Sequence, residues 1–396
     1  MVKSGRGPLT EKPVAVDLLK YWRFRSWSSR ESTRVARSGF EPLISALRGL
    51  RPGPLDERAG KTPFYRCEPR RSRALSDLVA PGVRRIAIPL PIPALKIVNV
   101  YLVEGESGWS LVDSGMHTDE AERALRNGIA SAGIAMHDIG RAFITHLHPD
   151  HMGMAGLLEG EGVEVVMHRP EIAGARRVWA ADHSLIDETY VFFGRHGMPD
   201  DVDRGMAEAW IAMGRRVDKV DHLVPADDGE EIDLAKRTAR VRWTPGHTDH
   251  HAVLVEERDR ILFSGDHVLP RITSNVGLYP HSRDDPLGDF MDALRKIRAL
   301  PVTRVLPAHG DPFDDLAGRV DEMLAHHAAR LAAVVDALDG RERSAYDVAR
   351  DLFPVLRGPH EERFALAETL AHLRHLERTG RAVELSGPKA RWKVAA

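Results

Sequence analysis

The chain has 396 residues, 43% hydrophobic and 29% charged, with a formal net charge of -2 at pH 7. At roughly 150 residues per domain that length holds two or three folded units, and the composition excludes a wholly disordered, collagen-like or disulfide-stapled chain. A lone cysteine, Cys67, allows no internal disulfide, no export signal is evident, and the most apolar stretch, 86–103, is interrupted by Pro89, Pro91, Pro93 and Lys96. A cytoplasmic location with no membrane span is expected.

Charge is spread unevenly. Residues 1–80 carry 17 Lys and Arg against 8 Asp and Glu, and the rest of the chain carries 39 against 50. The basic N-terminal extension, 1–80, mixes Tyr21, Trp22, Phe24 and Trp27 with arginines. Such a mixture can touch nucleic acid or lipid, but a basic tract is commoner as a surface-packed arm, and that reading is preferred. The acidic remainder does not attract a polyanion by charge.

From Val83 onward, short apolar runs alternate with turns and helical patterns. Residues 98–103 (VNVYLV) and 109–113 (WSLVD) predict a hairpin. Thr118 is placed to cap a helix with Asp119 and Glu120 in its first turn, Ala121, Leu125 and Ile129 as its buried stripe, and Gly133 at its end. Strands are expected at 142–145 and 163–167, then a helical insert at about 170–220 carrying Trp179, Tyr190, Phe192, Phe193 and Trp210. More strands follow at 241–243, 261–263 and 304–306. From about residue 319 the pattern predicts three helices, the second capped by Ser344, and after Gly380 a hairpin pairing 382–385 with 391–394.

Potential ligands gather at the ends of these strands. The strand at 142–145 runs into Thr145-His146-Leu147-His148-Pro149-Asp150-His151. In extended backbone, side chains two apart share a side, so His146 and His148 can grip one ion, while the turn forced by Pro149 aims Asp150 and His151 elsewhere, towards a second. Val241 to His247, Ile261 to Asp266 and Val305 to Gly310 repeat the design of an apolar strand ending in a potential ligand beside a glycine, and Asp113 closes the strand WSLVD.

The ordered set LVDSG, THLHPDH, PGHT, SGD and PAHG resembles the metallo-β-lactamase superfamily over about residues 82–312, near the β-lactamase-like and glyoxalase II-type group. One departure is Met152-Gly153-Met154 where the family usually has a Gly-Gly pair. The resemblance implies an α/β (α+β) fold, a four-layer αβ/βα sandwich with a dinuclear site on one edge. It assigns His146, His148 and His247 to a first metal, Asp150, His151 and His309 to a second, Asp266 as the bridge and Asp113 as a partner steadying a ligand histidine. It divides the chain into a catalytic domain, 81–318, and a C-terminal domain, 319–396, whose helices and hairpin resemble the winged-helix tail of β-lactamase-like hydrolases and endoribonucleases. With 11 basic and 8 acidic residues over 341–396, the tail is assigned to packing, homodimerisation or closure over substrate rather than DNA recognition.

Two divalent ions, Zn2+ as first choice with Fe or Mn sharing the ligand preference, would ionise a shared water near neutral pH without a serine or cysteine nucleophile. The expected activity is hydrolysis of a small-molecule ester, thioester or lactone by metal-bound hydroxide, with Asp150 as the catalytic carboxylate. An RNA phosphodiesterase and a mononuclear iron persulfide dioxygenase are the competing readings. His250, His251 and His267, beside presumed ligands, are left open. One or more of the insert aromatics Trp179, Tyr190, Phe192, Phe193 and Trp210 are expected to line a substrate pocket, Tyr190 and Phe193 being singled out, and Arg271, Asn275 and Tyr279 on the loop after Asp266 are candidates for substrate contact by position.

Overall fold

The computed structural model describes residues 76–92, 95–180, 184–356, 358–385 and 387–396. Tyr21 to Trp27 and Cys67, on which the basic extension was read, lie outside the described residues.

The first sheet holds seven strands in chain order. β1 (Asp77–Ala80), β2 (Val83–Pro89), β3 (Ile97–Gly105) and β4 (Gly108–Val112) are antiparallel neighbours, and β3 with β4 is the expected hairpin. α1 (Asp119–Ser131) follows, with the Thr118 hydroxyl accepting from the Ala121 N–H at 3.1 Å and Ala121, Leu125 and Ile129 buried. β5 (Ile139–Ile144), α2 (Pro149–Met152), α3 (Ala155–Gly160) and β6 (Glu164–His168) come next. The insert then contributes α4 (Arg169–Val178), α5 (Ser184–Arg195) and α6 (Asp200–Gly214) before β7 (Leu223–Ala226). Helical crossovers leave β4 to β7 parallel, so their C-terminal ends open on one edge.

The second sheet has the order β12-β11-β10-β9-β8. β8 (Glu231–Leu234), β9 (Arg237–Trp243), β10 (Ala252–Glu256) and β11 (Ile261–Gly265) form an antiparallel meander. α7 (Pro286–Arg298) carries the chain to β12 (Arg304–Pro307), parallel to β11.

Strand alternation sets the layers. Tyr101, Val112 and Phe143 from the first sheet meet Val241, Phe263 and Leu306 from the second in one core between the sheets. The opposite face of the first sheet, with Val100 and Ile144, packs on Leu125 and Ile129 of α1, and that of the second, with Val253 and Leu262, on Phe290 and Leu294 of α7. The result is the four-layer αβ/βα sandwich, with both sheets aiming C-terminal strand ends at a shared edge.

After the sandwich come α8 (Leu316–Leu338), α9 (Ala345–Leu352), α10 (Pro359–Arg378) and the hairpin of β13 (Ala382–Leu385) with β14 (Arg391–Val394). Ser344 caps α9 as expected, accepting from the Asp347 N–H at 3.1 Å. Leu331, Val348, Leu366 and Trp392 join Leu262 and Phe290 in one continuous apolar core, so the tail closes the outer face of the second sheet. No helix among the described residues is long and apolar enough to cross a membrane.

One acid is held against its preference in this packing. Asp203 of α6 is buried with neither carboxylate oxygen hydrogen-bonded, and burial, reinforced by Asp200, pushes its pKa up from 3.8 to about 7. The folded protein therefore holds a proton that the unfolded chain releases near pH 4. The resulting loss of stability is absent below about pH 4, grows as pH rises and is complete above about pH 7. Replacing Asp203→Asn removes it. The denaturant midpoints of wild type and variant should converge below about pH 4, and the variant should be the more stable at pH 8.

Candidate metal centre

The site is built where strands end. β4 leads to Asp113, β5 runs into Thr145 and His146, β9 leads to His247, β11 to Asp266 and β12 to His309. Two glycines permit the crowding. A Cβ on Gly246 would lie 2.3 Å from the Phe290 Cβ, and one on Gly265, whose φ is +47°, would lie 2.6 Å from His251 Nε2.

Three groups of donor atoms converge: His146, His148 and His247; His146, His151 and Asp266; and Asp150, His151 and His309. Within each group the atoms lie within 4.8 Å of one another. The Asp266 carboxylate stands between them, with Oδ2 3.4 Å from His247 Nε2 and 3.6 Å from His151 Nε2, and Oδ1 3.5 Å from His309 Nε2. Asp150 Oδ2 lies 3.3 Å from His309 Nε2 and 3.7 Å from His151 Nε2. All seven side chains expected as ligands from the sequence are thus gathered in one place.

The far side of four of the five rings is held, while His148 turns its Nδ1 to within 2.9 Å of His146 Nε2. Thr145 Oγ1 lies 3.0 Å from His146 Nδ1, and Asp113 Oδ2 lies 2.9 Å from His151 Nδ1. The Asn275 carbonyl accepts from His247 Nδ1 at 2.8 Å, and the Ile97 carbonyl from His309 Nδ1 at 3.0 Å. With Nδ1 committed as donor, Nε2 carries the lone pair. Asp113, at φ +64°, also accepts from the Thr145 N–H at 2.8 Å and from the Thr145 hydroxyl at 2.9 Å, so one carboxylate fixes both the loop and a ring.

These donors fit divalent cations. His151 Nε2, His247 Nε2, His309 Nε2 and Asp266 Oδ1 are buried without a hydrogen-bond partner, a costly arrangement unless something positive sits among them. The electrostatics agree. Burial, helped by His247, lowers the His148 pKa to about 3, and burial with His151 and His148 holds His146 well below its usual value, so both rings are neutral and able to ligate. Burial opposes charge on Asp150, yet His151 and His309 outweigh it and bring its pKa down to about 2. Burial likewise opposes charge on His151, but Asp150, Asp266 and Asp113 outweigh it and raise its pKa well above the ordinary value. The carboxylates, in short, call for positive charge at this spot.

Some contributions go beyond the sequence reading, which passed over Glu171 and named Trp179 and His251 without these contacts. Glu171, at the start of α4, is buried, and its Oε1 accepts from the Leu147 N–H at 2.9 Å and the Thr248 hydroxyl at 2.8 Å. Trp179 donates its indole N–H to the Leu147 carbonyl at 2.9 Å. The peptide between His146 and His148 is therefore clamped on both sides by the insert. Burial pushes the Glu171 pKa up to about 7. The available signal was an acid just past a strand that runs parallel to the ligand-bearing β5. His251, left open above, accepts from the Asp266 N–H on Nε2 at 3.2 Å and so steadies Asp266. His267 is buried against Phe290, and the His250 carbonyl pairs with His168 Nδ1 at 2.8 Å.

A cavity of about 520 Å³ opens from the donor cluster. Asn275 and Tyr279 line it, as do the insert residues Trp179 and Trp210, whose rings stack with centroids 5.8 Å apart. Tyr190, Phe193 and Arg271 are not on its wall. The buried face of α5 takes Thr189 and Phe193, putting Phe193 in the apolar core and turning Tyr190 outwards, and Arg271 is exposed on its loop. Sequence position alone could not separate the two sides of that helix from the cavity beside it.

Comparison with known proteins gives a consistent family. A family model described as the metallo-beta-lactamase superfamily matches residues 94–309, and one described as the metallo-beta-lactamase-like C-terminal domain matches 331–395. The chain is 31% identical over 306 residues to a probable metallo-hydrolase of Bacillus subtilis, covering 74% of this chain and 92% of that one. It resembles the crystal structure of a metallo-beta-lactamase family protein from Thermus thermophilus with a TM-score of 0.73 and 35% identity, covering 80% of this chain and all of that one. Over 29% of its length it is 34% identical to a protein of Paecilomyces divaricatus named atrochrysone carboxyl ACP thioesterase, covering 34% of that protein.

Asp113 offers a test of the centre that leaves the seven donors in place. Asn tolerates the positive φ but cannot present a second carboxylate oxygen to His151. The Asp113→Asn protein should stay folded and hold its metal roughly 10- to 100-fold more weakly, read by titration against a competing chelator.

Proposed function

The chain belongs to the metallo-beta-lactamase superfamily and is a metal-dependent hydrolase, and on that premise we propose that it cleaves an ester, thioester or lactone of a small molecule. The observation that carries this reading is the junction of a buried His and Asp cluster with a cavity of about 520 Å³ whose wall is largely hydrocarbon and aromatic. Such a volume accepts an acyl chain rather than a polynucleotide. The thioesterase name of the Paecilomyces relative points the same way.

In this proposal His146, His148 and His247 hold one cation, Asp150, His151 and His309 a second, and Asp266 reaches both. Zinc suits this mixture of imidazole and carboxylate best. Divalent cations at such a centre supply acidified water and a polarised carbonyl. The chain supplies the rest. Asp150 accepts the proton of the attacking water as its oxygen bonds to the carbonyl carbon. It then gives that proton to the leaving alkoxide or thiolate as the C–O or C–S bond breaks. Trp179, Trp210 and Tyr279 line the space around the substrate and limit bulk water. We retain as part of the same proposal the boundary near residue 318, a winged-helix-like tail and a cytoplasmic location.

The decisive experiment joins metal analysis of the purified protein to assays on thioester, lactone and phosphodiester substrates. About two zinc ions per chain and thioester or lactone turnover are expected, abolished by chelation and restored by zinc. The Asp150→Ala protein, reloaded with metal, should lose roughly 100-fold or more in kcat. Wild-type turnover in that variant rejects the role of Asp150. Salt-sensitive RNA cleavage as the main activity, or a single iron with oxygen consumption, rejects the hydrolytic substrate class.

A further inference from the structure

The cavity holds a buried cation for which the hydrolytic chemistry has no use. Arg363, on α10, is only 8% exposed and lines the cavity. Its guanidinium carbon lies 4.5 Å from the centre of the Phe364 ring, 5.3 Å from that of Trp210 and 5.6 Å from that of Tyr279. These rings favour the charge across their faces but accept none of its N–H bonds. Among the described residues no carboxylate pairs with it and no hydrogen-bond acceptor meets it.

Neighbouring acids are turned elsewhere. Glu362 bonds the Tyr346 hydroxyl and lies 3.6 Å from Arg350, while Glu368 lies 3.7 Å from Arg330 and accepts from Asn275 at 3.1 Å. The buried Asp203 of α6 has Asp200 and Lys389 as its charged neighbours. The Arg330 nitrogens Nε and Nη2 are sealed from solvent without partners, whereas no nitrogen of Arg363 is sealed in this way. A guanidinium enclosed by rings, unpaired, and still reachable from the cavity has its planar fork of donors free for a ligand.

We propose that Arg363 reads an oxyanion on the substrate. That oxyanion is a carboxylate on the acyl part or a phosphate on the leaving group, carried in addition to the bond that is cleaved. This specificity rests on the hydrolase reading above. It makes the tail helix α10 part of substrate recognition, since α10 supplies the charge and shares its aromatic setting with the insert.

The test uses three thioesters on the full-length, metal-loaded protein. Hexanoyl-N-acetylcysteamine is neutral, adipoyl-N-acetylcysteamine adds a carboxylate, and hexanoyl-coenzyme A adds phosphates. At least one anionic substrate should exceed the neutral one roughly 10- to 100-fold in kcat/KM, the range of a charge-assisted hydrogen bond. The Arg363→Met protein should lose that advantage through KM and fall far less on the neutral thioester, whose remaining turnover also shows that it is folded. The substrate that gains identifies the source of the oxyanion. Equal rates on all three substrates in wild type, or an equal loss on all three in the variant, overturns the proposal.

Should Arg363→Met fail to fold, Arg363→Gln keeps a planar, hydrogen-bonding end on a shorter side chain without the charge and replaces it in the same comparison. Should no thioester be cleaved, the thioester reading falls and binding still decides this one. By calorimetry on the intact metal-loaded chain, adipate monoethyl ester should bind wild type at least about tenfold more tightly than the variant. Equal affinity counts against Arg363.

Discussion

Five imidazoles and two carboxylates packed into one buried space are mutually intolerable unless cations share it. Without positive charge, His151, His247 and His309 keep lone pairs with nothing to bind, and Asp150 and Asp266 face each other across low dielectric. Much of the surrounding structure serves to keep this arrangement from relaxing. The parallel strands deliver their C-terminal ends to one edge, and the sandwich core behind them, with Phe143, Phe263 and Leu306, prevents the edge from opening.

The second constraint is orientation. A metal ligand has to offer one particular ring nitrogen, and in His151, His309 and His247 the opposite nitrogen is engaged by an atom from a distant part of the chain. Asp113 comes from β4, Ile97 from β3, and Asn275 from the loop after β11. Asn275 in turn donates to Glu368 on α10, so a line of hydrogen bonds runs from the tail to His247. The tail is thus coupled to the site without contributing a ligand to it.

How much of this could be read from the residues depends on how local the signal is. The donor cluster was legible because its members lie at or just beyond the ends of apolar strands, beside turn residues, as in Phe143-Ile144-Thr145-His146 and Leu262-Phe263-Ser264-Gly265-Asp266. Thr118 and Ser344 announced their helices through short-range capping. The roles of Glu171, Trp179 and Arg363 were not legible, since each depends on a partner far away in sequence or on the absence of one. Among the expected substrate residues, Asn275 and Tyr279 share a loop with a ligand and reach the cavity. Tyr190 and Phe193 failed as guides because three positions along one helix separate solvent, core and cavity, and the amphipathic pattern of α5 does not reveal which neighbour each face meets. Strands such as β1, β7 and β8 carry only four residues each, too few for period-two alternation to be distinctive.

The double grip on the Leu147 peptide has an evolutionary corollary. The helical insert that shapes the cavity also steadies the segment bearing His146 and His148, through Glu171 and Trp179. Substrate range and metal retention are therefore written into the same stretch of chain. Changes in α5 and α6 can reshape the cavity without touching these two hydrogen bonds, whereas the two ends of α4, where Glu171 and Trp179 sit, are tied to the histidine segment.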